Sequence, residues 1–260
     1  MNAKRFTLAL IAAGALATPA LAQDTWTWHK AVAAGRTVEI KGVNGQISAT
    51  AASGREVEVM ARKSAKNSNP DDVKLQVVEH AGGVTICAVY PSRRASEPNE
   101  CQPGEKGRMN TNRNDTRVDF EVRVPRGVQF TGRTINGAVR ATGMTGLTIG
   151  TTVNGDVRIA TTGLARASTV NGAIDARMGQ ASWTDELSFS TVNGSIDLAF
   201  PESLNAEVEA STVNGSISTD WPLTVTGKWG PKRVHGRIGS GGRDLTLSTV
   251  NGSIALKRAD

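Results

Sequence analysis

Chemistry on this chain would have to start from few candidates. Three histidines, His29, His80 and His235, could supply a general base, but they lie far apart and in turn or strand-edge contexts. No Gly-x-Ser-x-Gly elbow accompanies them, and no His-Glu-x-x-His pair is present. Gly239-Ser240-Gly241-Gly242 has the glycine content of a phosphate loop. No Lys-Ser/Thr follows it and no helix is expected after it, so it reads as a turn. Asp156, Asp175 and Asp197 follow Asn-Gly pairs, where carboxylates of a repeat can gather calcium. Asp156 sits one position after its glycine and the other two sit three after, so the three fall out of one row and read as solvated strand faces. We expect no catalytic, cofactor or metal residues, and hence a non-enzyme.

Two further side-chain sets carry weight. Cys87 and Cys101 are 14 positions apart and form the chain's whole cysteine complement. In an exported protein such a pair is expected to be a disulfide, whereas zinc would want nearby histidines. Trp183, Trp221 and Trp229 lie between Asn-Gly motifs, where an indole could stack on a sugar ring or anchor a protein partner.

The export expectation comes from the N-terminus. Lys4 and Arg5 precede an apolar run, Phe6 to Ala17, and Ala20-Leu21-Ala22 supplies a small-x-small cleavage site. Cleavage after Ala22 leaves a net charge of +4, compared with +6 for the full sequence. That excess is spread along the chain, and nucleic-acid binding would need a concentrated basic face. No other stretch is apolar enough to span a membrane as a helix.

Positioning any of these residues falls to a repeat. An apolar-Asn-Gly-x-apolar motif recurs at Asn44, Asn136, Asn154, Asn171, Asn193, Asn214 and Asn251. From Asn136 onward the intervals are 18, 17, 22, 21 and 37. The last is about twice the others, and Val234-His235-Gly236-Arg237-Ile238 fills the gap with His235 in the asparagine place. Asn and Gly tolerate left-handed backbone, and histidine does so to a lesser degree. Each unit then reads as strand, bend, strand, turn. Leu245, Leu247 and Thr249 alternate before one bend, and Ile254 and Leu256 alternate after it. Aromatic content of 4% and 28 glycines suit narrow interiors and many turns. The reading is an all-β chain, a β-solenoid of about 20 residues per coil, with an antiparallel β meander of Asn-Gly hairpins as the alternative. Recurrence of Ser/Thr-Thr-Val before the bend favours stacking, because each residue then lies above its equivalent.

These motifs resemble a bacterial envelope family of proposed adhesins. It is a β-strand-repeat domain of unknown function, related to head domains called GIN. The resemblance runs from Thr37–Ile47 through Val118–Pro125 to Leu245–Ile254. It implies a solenoid-like fold and an envelope location, and it supplies no catalytic residues. The expected organisation is a signal peptide over 1–22, a strand-rich portion over 23–116 with a disulfide-pinned polar loop, and a repeat array over 117–260, the last two forming one continuous domain. The expected function is a binding or adhesion surface in the periplasm or at the cell surface, toward an envelope protein or glycan. A sensory or regulatory partner in an envelope-stress system, and a glycan-active enzyme, are the alternatives.

Overall fold

The computed structural model describes residues 25–92, 96–111, 113–223, 225–226 and 231–259. The expected signal peptide and Trp229 lie outside them. The described chain is all-β apart from one short 3-10 turn, Pro70–Asp72. Its strands form two stacked sheets of 10 and 11 strands.

Each Asn-Gly bend carries the chain from one sheet to the other. Leu187–Ser190 belongs to one sheet and Ile196–Phe200, beyond the bend, to its neighbour. The strands flanking such a bend therefore do not pair with each other, and the meander does not describe this part of the chain. Successive units stack in parallel instead, like on like: Val139, Val157, Ile174, Ile196, Ile254 and Ile217 lie in one register row. All of them except Ile217 are 0–1% exposed and fill the interior between the sheets. Alternation of one residue in and one out along each strand produces this row.

The ends differ from the centre. Thr25–Ala31, Glu56–Ser64 and Arg117–Val124 pair antiparallel at one end, as do Lys74–His80 and Gly83–Val89. Trp26 and Trp28 pair with Ala61 and Val59 and pack against the core, closing that end. At the other end Ala206–Asn214 pairs antiparallel with Lys232–Ile238. Spatial order also departs from chain order. The unit containing Asn44 lies between the 83–124 segment and the Gln129–Met144 unit. The unit containing Asn251 is inserted between those of Asn193 and Asn214.

This insertion removes the need for a hidden repeat. Asn214 and Asn251 are direct neighbours, in register, across the interval of 37 residues. His235 is in a strand antiparallel to Ala206–Asn214, opposite Glu209, and takes no place in the asparagine row. Val234 and Ile238 are both buried, so simple strand alternation reproduces the motif's four-residue apolar spacing.

Candidate functional site

Along the corner where the bends stack, seven asparagines form a continuous ladder. Asn136 Nδ2 donates to Asn44 Oδ1 at 2.9 Å, and Asn154, Asn171 and Asn193 each donate to the preceding member at 2.8 Å. Asn251 donates to Asn193 and Asn214 to Asn251, both at 2.7 Å. Every amide points the same way along the axis. A chain of aligned hydrogen bonds polarises its members in one direction and fixes each side chain's rotamer.

The threonine before each valine explains the recurring Thr-Val pair. Thr152, Thr169, Thr191, Thr249 and Thr212 are 1–5% exposed. Each hydroxyl donates to a glycine carbonyl of the adjacent unit, at 2.8–3.0 Å. The glycine itself is required by close approach. A Cβ at Gly172 would stand 1.9 Å from the Gly155 carbonyl oxygen, and one at Gly194 would stand 1.9 Å from that of Gly172. Left-handed backbone is not the reason at these corners: among them only Gly45 has a positive φ, and no corner asparagine does.

With Thr turned inward and Asn locked in the ladder, the valine between them faces solvent. Val153, Val170, Val192, Val250 and Val213 are 37–42% exposed and follow one another in five adjacent units. Val43, in the first unit, is buried. The sequence carries the signal for this ridge, a valine before Asn-Gly in all five of these units, although periodicity alone reads it as core.

A second built region covers the outer face of the same sheet that holds Thr37–Lys41. Cys87 and Cys101 are disulfide-bonded, with Cα atoms 5.7 Å apart. The polar segment over 96–111, which contains Cys101, is docked on the sheet. Glu39, 5% exposed, accepts from Thr85 Oγ1 and Gly104 N at 2.9 Å and from Arg133 Nε at 3.1 Å. Lys41, 8% exposed, donates to the Gln102 and Lys106 carbonyls at 2.6 and 2.9 Å. Burial pulls the Lys41 ammonium below its usual pKa, against the pull of Glu39. Tyr90 closes the inner side. Its hydroxyl donates to the Thr116 carbonyl at 2.7 Å, and burial raises it to about 12. Sequence reading misses Glu39 and Lys41 because a polar residue at alternate strand positions is what any solvated face shows.

The tryptophans are structural where they are described. Trp221 is 6% exposed beneath the Arg258 guanidinium, 5.7 Å from its ring centroid, so it is not an exposed ligand contact. Trp183 is half-buried against Phe200, and its indole N–H donates to the Asp244 carbonyl at 3.3 Å. A shallow cleft of 530 Å³ on the outer face of the other sheet brings Asp175 beside Asp197, in register. Lys257 pairs with Asp197, and Asp156 pairs with Arg158 at 2.9 Å. Among the described residues no group of three His, Cys, Asp or Glu is placed to hold a metal, and no helix is long and apolar enough to cross a membrane.

Comparison with curated proteins finds no match. Among solved structures, a proposed cell adhesion protein from Clostridium sporogenes is 11% identical, with a TM-score of 0.46, over 91% of this chain and 100% of that one. A proposed adhesin from Bacteroides fragilis is 12% identical, with a TM-score of 0.30, over 91% and 97%. The profile of the family described as Toastrack DUF4097 matches residues 33–257, nearly the whole of the described repeat body. The chain belongs to that family.

Proposed function

We propose that this is an exported, non-enzymatic β-repeat protein, built of coils of about 20 residues, that presents its valine–asparagine corner as a binding or adhesion surface in the cell envelope. The observation that carries the reading is the row of five valines, each more than a third exposed, in consecutive units. Full burial of an exposed valine is favourable by roughly 1.5 kcal/mol or more, so covering the exposed part of five in one line makes a fraction of that per residue available to a partner. Export is supported by the charge, apolar run and Ala-Leu-Ala order of residues 1–22.

The test is affinity capture from envelope extracts with the mature chain and with a Val170→Asp/Val192→Asp variant. The wild type should retain envelope material that the variant loses at unchanged melting temperature. Equal retention by both would remove the corner from the function. Mass spectrometry of the native protein should find residue 23 at the N-terminus, and an intact chain from Met1 in the envelope would refute export with cleavage.

A further inference from the structure

The corner's dimensions and chemistry narrow its occupant. Each ladder asparagine between the two ends uses one amide hydrogen and one carbonyl lone pair on its neighbours and keeps one donor and one acceptor for a ligand, while Asn214, at the end, uses only its amide hydrogen. Each of the five valine-bearing units therefore offers at least the same set: exposed valine methyls, one N–H and one lone pair. The set repeats at the strand-to-strand spacing of about 4.8 Å. The positions after the glycines are Asp156, Ala173, Ser195, Ser253 and Ser216, so charge is confined to the two end units: Asp156, answered by Arg158, in the first, and Lys232, whose Nζ donates to the Gly215 carbonyl, in the last.

These features disfavour most partners. A polyanion would find a single countercharge, Lys232 at one end of the strip, and none over the units between, and charge is what holds such polymers. A folded protein partner normally covers about 800 Å² on each side. Five units one side chain wide give a strip about 20 Å long, from four intervals of the strand spacing, far below that area. An extended peptide advances about 3.3 Å per residue and falls out of step with the units after one residue. A β-1,4-linked hexose polymer advances by about one coil per ring, is flat and extended, and carries no charge. Its ring faces present C–H groups to apolar side chains, while its equatorial hydroxyls both donate and accept.

We infer that the corner binds a neutral, extended β-1,4-linked polysaccharide laid along the solenoid axis, about one sugar ring per unit, over the valines and against the free amide edges of the ladder. This rests on the reading of the corner as the binding surface. Valine gives less per ring than an aromatic platform, so affinity comes from the number of units engaged.

The experiment titrates the mature chain with cellotriose through cellohexaose and with chitohexaose, using maltohexaose and oligogalacturonate as comparators. Binding should tighten with each added ring up to about five, where the exposed valines end. Val170→Asp/Val192→Asp should weaken the hexasaccharide at least tenfold at unchanged melting temperature, and Val170→Leu/Val192→Leu should retain it. Maltohexaose, which curves, and oligogalacturonate, which is charged, should bind at least tenfold more weakly than cellohexaose. Affinity independent of chain length, equal affinity for oligogalacturonate, or an undiminished Asp variant overturns the inference. If neither neutral hexasaccharide binds but the Asp variant still loses the captured envelope material, the glycan assignment fails and the corner reading stands. If the Asp variant loses neither, both fail.

Discussion

The ladder corner and the docked polar segment solve one problem, fixing a surface on a sheet scaffold, by opposite means. At the corner each unit satisfies the next through the same three contacts: asparagine to asparagine, threonine hydroxyl to glycine carbonyl, and glycine backbone to glycine backbone. No charge is buried there. The segment 96–111 has no neighbour like itself, and it is held by one covalent bond, a buried carboxylate with three donors and a buried ammonium. Repetition lets neutral short side chains specify a surface, whereas a unique excursion needs stronger and less forgiving contacts. The corner should accordingly tolerate loss of a side chain better than an added one, and the docked segment should fail when a single anchor is cut.

The largest effect is expected from steric intrusion at the corner. Gly172→Val forces a Cβ toward a carbonyl oxygen 1.9 Å away and should cost at least about 3 kcal/mol in chemical denaturation. Gly54→Ala, with nothing within 4 Å, should be neutral or slightly stabilising. Equal effects would mean that the close approach is not what selects glycine.

Cutting the single covalent anchor ranks next. Cys87→Ser/Cys101→Ser should lose roughly 2–3 kcal/mol. Amide exchange should accelerate over 96–111 while the corner stays protected. Exchange rising evenly over the whole chain would contradict separate anchoring.

Asn171→Ala removes two ladder hydrogen bonds at an exposed position and should cost about 1–2 kcal/mol by thermal or chemical melting. A loss as large as that of Gly172→Val would show that the ladder, and not backbone contact, dominates the corner.

The smallest effect is local and depends on pH. Hydrogen bonds from Ser68, then those from Asn67, hold Asp115 at about 2, below the usual carboxylate range. This contribution is fully present above about pH 4 and is lost as pH falls through about 2. Exchange at Asn67 and Ser68 should quicken over that window, and Asp115→Asn should remove the pH dependence.

Much of the corner is legible in the sequence, because Ser/Thr-Thr-Val-Asn-Gly repeats its own structural role: Thr169 and Thr191 are buried alike, Val170 and Val192 exposed alike. The alternation of Leu187, Phe189 and Thr191 likewise gives the inward face directly. Spatial order is not legible. Asp244–Asn251 pairs with strands 55 or more residues back on one side and about 37 back on the other, and such non-local pairing leaves no mark on local pattern. The doubled interval before Asn251 therefore looks like a missing repeat around His235, when the chain has instead made an antiparallel excursion and returned to insert a unit. Glu39 is illegible for a related reason: its three donors, Thr85, Gly104 and Arg133, lie 46, 65 and 94 residues away.

The most direct test of the corner as the working surface is carbene footprinting of the mature chain with and without the envelope material that it captures. Protection is expected at Val170, Val192 and Val250, with labelling over 96–111 unchanged. Protection confined to 96–111, with the valines labelled equally in both samples, would contradict it.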